Sequence, residues 1–402
     1  MRVLIADKLL PSAAERLRAL GLEVLENAAL KTATLGDALG EHGSHVLVVR
    51  STKVPAEVLS RGRLGLIVRA GAGVNTIDVA AASERGVYVA NCPGKNSLAV
   101  SELTIGLLVA LDRRIPDAVA DLRAGLWRKG EYSKARGLAG RRMGVVGAGR
   151  IGMAVARQAR GLGMRVTVWN HGGRRKEAVE AEGFAFEPDL LELAANSDAV
   201  SLHLASTPET RGLAGEAFFG ALPEGAYFLN TSRADLVDEA ALRRAMSVGG
   251  VRAAVDVFTG EGAGAADSID VDLLAEPNLI ATPHIGASTL QAQEAVADEV
   301  VRIVAGYARS GSAPSVVNVE AASPATHVLI VRHLNRVGVL SHVFAALKDA
   351  QINALETENI VFGGGKACIA RIAIDSAPAA SILDSVPRGN PDILDLHLVA
   401  RS

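Results

Sequence analysis

The strand-like run Met143-Gly144-Val145-Val146 leads directly into Gly147-Ala148-Gly149-Arg150-Ile151-Gly152. Few short segments restrict a fold as tightly. Gly147 permits a sharp turn out of a buried strand, Gly149 allows the backbone to approach a ligand, and Gly152 allows the next helix to lie close on the strand. The helix then presents its N-terminal N–H groups and positive dipole end to an anion. A strand, glycine turn and helix in this order predict a parallel α/β unit that holds the pyrophosphate of a dinucleotide, with Arg150 and Ile151 beside it.

The surroundings agree with that unit. Short β-branched runs at Val3–Ile5, Val46–Val49, Leu66–Val68 and Val87–Val89 alternate with helical patterns around 12–20, 55–61 and 78–85. A second series runs through Arg142–Val146, Arg165–Trp169, Ala199–Leu202, Tyr227–Asn230 and Ala253–Val255. Alternation of this kind implies parallel sheets. A long apolar helix at roughly 96–111 separates the two series, followed by a polar connection containing Trp127. Beyond a helical segment at 288–309 and the linker-like Ser312-Ala313-Pro314-Ser315 comes a small α+β module. The expected fold class is α/β, with two Rossmann-like, doubly wound parallel-sheet domains and a C-terminal α+β domain. Expected boundaries are 1–95, completed by 285–318, then 96–284, then 325–402.

Three further motifs carry chemistry: Asn230-Thr231-Ser232-Arg233, Asp256-Val257-Phe258 with Glu261, and Thr282-Pro283-His284-Ile285-Gly286. Taking a hydride from a carbon that bears a hydroxyl requires a base for the hydroxyl proton. It also requires a cation to hold the neighbouring carboxylate in place. Histidine is the side chain whose unperturbed pKa lies near neutrality, and His284 is the candidate for the first task. Glu261 is the candidate partner for its second ring nitrogen, and Arg233 offers a two-pronged carboxylate clamp. The ribose-reading position at the end of the second strand of that series is Asn170, where an acid is usual. His171, Arg174, Arg175 and Lys176 follow. Without an acid to repel a 2′-phosphate, NAD and NADP both remain open. The net charge of −2 gives no reason to expect nucleic acid or membrane as a partner.

These motifs resemble the D-2-hydroxyacid dehydrogenases over nearly the whole catalytic region. Val49-Arg50-Ser51-Thr52-Lys53-Val54 looks like a substrate-binding strand end, with Arg50 and Lys53 as cations for the far end of a phosphorylated substrate. The run from Arg69 to Asp78 resembles a loop that holds the substrate carboxylate, here through Ala72, Gly73 and Asn75. Asn91-Cys92-Pro93-Gly94-Lys95-Asn96-Ser97 looks like a hinge. Segments 201–204 and 207–212 resemble the cofactor lining, bringing in His203 and Thr207 alongside Thr231 and Gly286. By this resemblance Arg233, Glu261 and His284 are catalytic and Asp256 meets the nicotinamide amide. It implies oxidation of 3-phospho-D-glycerate to 3-phosphohydroxypyruvate at the head of serine synthesis, with a glyoxylate or hydroxypyruvate reductase as the rival. A non-catalytic dinucleotide sensor is a third reading, against which the complete Arg–Glu–His set weighs. A homodimer or homotetramer is implied, with Trp127 near the subunit contact.

The C-terminal module resembles an ACT domain, a βαββαβ fold whose paired copies bind an effector between them. His333, Asn335 and Asn353 fall on its ligand positions and make L-serine the candidate effector. Val337 stands where a proline is usual, so ligand sensing and pure assembly both stay open. The two cysteines, Cys92 and Cys368, form no metal-ligand pattern, and no metal is expected. The N-terminus reads as a first strand with no signal-peptide character, and a cytoplasmic location is expected.

Overall fold

A computed structural model describes residues 1–259, 272–320 and 322–401. It divides into two units, 1–318 and 319–402. The first contains two parallel sheets. Strands β1 (Arg2–Ile5), β2 (Glu23–Glu26), β3 (Val46–Val49), β4 (Leu66–Arg69) and β5 (Tyr88–Asn91) are ordered β2-β1-β3-β4-β5. The second sheet comprises β6 (Arg142–Val146), β7 (Arg165–Trp169), β8 (Ala185–Phe186), β9 (Ala199–Leu202), β10 (Tyr227–Asn230), β11 (Arg252–Val255) and β12 (Leu279–Ala281). Its order is β12-β11-β10-β9-β6-β7-β8.

Both sheets are doubly wound, and in such sheets the crevice for a ligand opens at the carboxyl ends of the two strands where the order reverses. In the first sheet these are β1 and β3; in the second they are β6 and β9. The reason for the parallel arrangement is visible in the side chains. β3, β9 and β10 are buried along their whole length, so they carry near-continuous apolar runs, broken only by Ser201 and the terminal Asn230, rather than alternation. Helices cover both faces. On one face of the first sheet, Val3, Ile5, Val46, Val48, Leu66 and Val68 pack with Ala297, Val300, Ile303 and Val304 of the helix Leu290–Ser310. Leu4, Leu47, Val49 and Ile67 face the other way, toward Leu35 and Leu39 of the helix Thr32–His42.

The helix Ser97–Arg113 joins the two sheets in sequence and buries Leu107, Leu108 and Leu111 against the second. At its C-terminal end the buried Asp112 carboxylate accepts from the Gly137 N–H at 3.1 Å and the Tyr227 hydroxyl at 3.1 Å. The polar connection expected after this helix contains two short helices, Ile115–Arg123 and Lys129–Tyr132.

The second unit is a four-stranded antiparallel sheet of β13 (His327–Leu334), β14 (Ala354–Val361), β15 (Ala367–Ile374) and β16 (Ile393–Ala400), ordered β14-β15-β13-β16. With the helices Val339–Asp349 and Ala380–Gly389 it forms a βαββαβ module. Leu329, Val331, Ile372 and Ile374 pack with Val339, Val343, Leu347 and Val386 in its core. Among the described residues no helix is long and apolar enough to cross a membrane, and no group of three or more His, Cys, Asp or Glu could hold a metal ion.

Candidate active site

The glycine loop sits at the β6/β9 reversal. Gly147 has φ +114°, and a Cβ there would lie 2.4 Å from the His203 carbonyl oxygen, so only glycine fits. A Cβ on Gly152 would lie 1.9 Å from the Gly147 oxygen, which holds the helix Arg150–Gly161 tight against the strand end. Gly149 differs from both. Its φ of −73° suits any residue, and a Cβ there would meet nothing within 4 Å. The space over Gly149, at the start of a 12-residue helix, suits a pyrophosphate close to the backbone. Ile151 is partly buried against the core behind the sheet.

Arg150 Nη1 donates to the Pro93 carbonyl at 3.2 Å, and a Cβ on Gly94 would lie 2.2 Å from that nitrogen. The guanidinium therefore rests on the 92–96 segment rather than over the glycine loop. At the ribose-reading corner, the Ala148 N–H donates to Asn170 Oδ1 and Asn170 Nδ2 donates to the Arg174 carbonyl, each at 3.0 Å. Since one partner can only donate and the other only accept, the amide orientation is fixed.

His203 Nε2 lies 2.9 Å from Ser201 Oγ. Burial of the ring pushes its pKa down to about 3, so it is neutral wherever the protein is folded near neutral pH. Thr207 N–H donates to Thr210 Oγ1 at 2.8 Å, closing the 205–210 turn. Thr231 is buried, with its hydroxyl 2.9 Å from that of Thr104 on the long helix.

The 230–233 loop is tied by Asn230, whose Oδ1 accepts from the Ser232 N–H at 3.0 Å and whose Nδ2 donates to the Arg233 carbonyl at 2.8 Å. This delivers the Arg233 guanidinium to Gly73, where a Cβ would lie 2.8 Å from Nη2 and 3.2 Å from Asn75 Oδ1. Asp256, expected at the nicotinamide amide, directs its carboxylate at the histidine loop. It is 1% exposed. Oδ1 accepts from Thr282 Oγ1 at 2.6 Å and the Ile285 N–H at 2.8 Å, and Oδ2 accepts from the Gly286 N–H at 2.8 Å. His284 is held between these anchors with φ +51°, a left-handed conformation that a non-glycine residue rarely adopts and that clusters at functional sites. Glu261 lies outside the described residues.

A cavity of about 290 Å³ opens beside His284. Arg50, Ser51, Arg69, Ala70, Gly71 and Asn96 line it from the first sheet and the segment after it, and Ser288 and Gln293 line it from the start of the helix Leu290–Ser310. Arg69 is the residue that sequence reasoning missed. Its guanidinium lies on Gly71, where a Cβ would clash at 1.7 Å, and its Nε has no hydrogen-bond partner among the described residues. Burial, then the neighbouring Arg233 and Arg50, lower its pKa from the usual value. Lys53, the second cation expected from sequence, is exposed and does not line the cavity. Of the expected carboxylate loop, the cavity wall includes Ala70 and Gly71; Gly73 lies beside Arg233 and Asn75, and the Ala72 carbonyl accepts from Asn91 Nδ2. The thiol of Cys92 nearby is pushed up to about 12 by burial and is no nucleophile.

The C-terminal residues separate. His333 is buried, with Nδ1 2.8 Å from the Leu334 carbonyl and Nε2 3.1 Å from Asn359 Oδ1. Asn335 Nδ2 donates to the Gly365 carbonyl at 2.9 Å. Asn353 precedes β14 beside Asp375, whose carboxylate accepts from its N–H at 3.2 Å. In the strand register His333 pairs with Cys368 while Ala354 pairs with Ile374, so Asn353 lies at the other end of the sheet. The three expected effector residues do not meet within one copy.

Against known proteins, residues 105–286 match the model of the D-isomer specific 2-hydroxyacid dehydrogenase NAD-binding domain. The chain belongs to the D-isomer specific 2-hydroxyacid dehydrogenase family. It is 33% identical over 360 residues to a D-3-phosphoglycerate dehydrogenase from Methanocaldococcus jannaschii, covering 89% of this chain and 67% of that one. The first curated relatives are matched over 54 to 67% of their own length. Among solved structures, the TT0316 protein of Thermus thermophilus aligns with a TM-score of 0.70 at 34% identity, over 79% of this chain and 100% of that one. A D-lactate dehydrogenase of Aquifex aeolicus, complexed with NAD and lactic acid, aligns with a TM-score of 0.68 at 26% identity, over 80% of this chain and 100% of that one.

Two outcomes follow from the loop and its histidine. Gly149→Ala should melt within about 2 °C of the parent yet bind NAD at least about tenfold more weakly by calorimetric titration. Gly152→Ala should lose about 1–3 kcal/mol of stability through the clash alone. His203 remains neutral in the fold while its unfolded counterpart takes up a proton below its ordinary 6.5. Its contribution is therefore complete above pH 6.5 and lost as pH falls toward 3. Denaturant titrations at pH 7 and pH 5 should show a larger loss for the parent than for His203→Gln, and equal losses would refute the assignment.

Proposed function

We propose that the chain catalyses the NAD(P)-dependent oxidation of 3-phospho-D-glycerate to 3-phosphohydroxypyruvate, the opening step of serine synthesis. The observation that carries this reading is that Arg50 and Arg69 line one cavity with His284, while Arg233, outside the cavity wall at Gly73, is close enough to Arg69 to lower its pKa. A small 2-hydroxy acid carries one negative charge and needs one clamp. A phosphorylated one adds roughly 1.5 to 2 more charges near neutral pH, which three guanidinium groups match. Arg69, with Nε unpaired, is the group most in need of that anion.

In this reading Arg233 and the Gly73–Asn75 backbone hold the carboxylate, while Arg50 and Arg69 hold the phosphate. Asn96 and Gln293 complete the wall. His284 takes the C2 hydroxyl proton as the C2 hydrogen leaves with its electron pair, and the C2–O bond becomes a carbonyl. Bound NAD(P) supplies the hydride acceptor. Glu261 is assigned the second ring nitrogen of His284, where a carboxylate would stabilise the imidazolium that forms. Asp256 acts one step back by fixing the loop on which His284 is carried. Asn170 leaves the ribose corner neutral, with Arg174 and Arg175 following, and a 2′-phosphate meets no acid at that position.

Subunit association is part of the same reading. The helix Ile115–Arg123 buries none of its residues; Ile115, Val119 and Leu122 are exposed as one stripe at helical spacing, and Leu126 and Trp127, just past the helix, are exposed too. A second copy is the proposed cover. The C-terminal module is assigned either effector binding between copies or assembly alone.

Initial rates should favour 3-phosphoglycerate over D-glycerate by at least about a hundredfold in kcat/KM. Arg69→Ala should erase most of that preference while sparing NAD affinity. A preference for the unphosphorylated acid would point to the reductase reading. Running the assays with NAD, NADP and added serine decides the cofactor and separates the two roles of the C-terminal module. In sedimentation, Leu122→Asp/Trp127→Asp should run as a monomer where the parent does not.

A further inference from the structure

Asp7 is an acid whose charge is felt by the Arg69 guanidinium, and its position is unusual. It lies just past β1, next to the end of β3, at the point where the order of the first sheet reverses. Its Oδ2 accepts from three successive backbone N–H groups, those of Arg50 at 2.6 Å, Ser51 at 3.0 Å and Thr52 at 3.0 Å. Its Oδ1 accepts from Thr52 Oγ1 at 3.1 Å. Three consecutive N–H groups converging on one point form a concavity that binds anions in its own right. Asp7 fills that concavity from within the protein.

We infer that Asp7 is a positioning residue for the phosphate end of the pocket: by occupying the 50–52 amides it sets the loop so that the Arg50 side chain joins the cavity wall. The inference rests on the phosphorylated-substrate reading above. Two physical consequences define the role. With the amides satisfied, an incoming phosphate is met by the Arg50 and Arg69 side chains and not by loop backbone. And because a carboxylate–amide hydrogen bond is charge-assisted, the loop is held in one geometry before substrate arrives, which reduces the ordering entropy charged to binding. Leu9 and Leu10, two and three residues after Asp7, line the same cavity, so the segment that anchors the loop also forms part of the wall.

A residue acting through Arg50 leaves a distinctive kinetic pattern. In the full chain, Asp7→Ala should raise KM for 3-phosphoglycerate at least about tenfold, with kcat and the KM for NAD within about twofold. The kcat/KM for D-glycerate should also stay within about twofold. The Asp7→Ala/Arg50→Ala double variant should match Arg50→Ala alone, since coupled residues are non-additive. Asp7→Asn, which keeps one acceptor oxygen and serves if the alanine variant fails to fold, should fall between parent and alanine. An unchanged KM, an equal loss with both substrates, or additive effects in the double variant would overturn the role. A parent enzyme with no preference for the phosphorylated acid would overturn the pocket reading and this inference with it. A preference that survives in Asp7→Ala and Asp7→Asn would overturn the inference alone.

Discussion

The cofactor half of this protein depends on how closely two stretches of backbone approach at Gly147. The His203 carbonyl occupies space that a methyl group would need, and the Gly147 carbonyl does the same to Gly152. Strand, turn and helix are thereby locked into one rigid corner at the reversal between β6 and β9. The open space lies above Gly149, where no side chain or backbone atom comes within 4 Å of a Cβ position. Rigid packing on either side and room in the middle are what a bound pyrophosphate requires.

Parallel topology explains why residues as distant in sequence as 7, 50, 69, 233 and 284 belong to one neighbourhood. Each follows or ends a strand, or lies in the loop after one, and each parallel sheet sends such ends to its own single edge, 7, 50 and 69 from the first sheet and 233 and 284 from the second. The polar groups that maintain the edge are themselves buried: Asn230 ties the Arg233 loop and Asp256 ties the His284 loop. Losing either would leave backbone amides unpaired at the site and cost more than the bond itself. The strained His284 backbone is stable because both flanks are pinned to one carboxylate.

The sheet centres were the most legible part of the sequence. Val46–Val49, Ala199–Leu202 and Tyr227–Asn230 announce themselves because complete burial demands nearly unbroken apolar runs. The edges were not legible. β2 is mostly exposed and reads Glu23-Val24-Leu25-Glu26, β8 has only two residues, and β14 is a largely exposed strand with four polar residues in succession. At the site, the motifs pointed to Arg233 and His284 and the family resemblance to Arg50, and Arg50 and His284 line the cavity, but neither signal could rank cations. Arg69 was quoted within a loop motif, and nothing in its spacing says that a guanidinium would fold over Gly71 into a cavity. Lys53 sits as close to Arg50 in sequence but faces solvent. Asp7 left no signal beyond an acid after a strand, because its partners are backbone amides 43 to 45 residues away.

The corner at Asn170 has a consequence for redesign. Its amide uses both of its ends, one to receive the Ala148 N–H and the other to give a hydrogen to the Arg174 carbonyl. A carboxylate in its place could do the first but would set two oxygens facing each other at the second. Converting the corner to an acidic ribose reader is therefore not a single-residue exchange. The chain from 171 to 175, which ends with Arg175 in a left-handed conformation, would need to be rebuilt around it. Cofactor choice is in this sense a property of a small hydrogen-bonded architecture, and evolution or design would have to move it as a block.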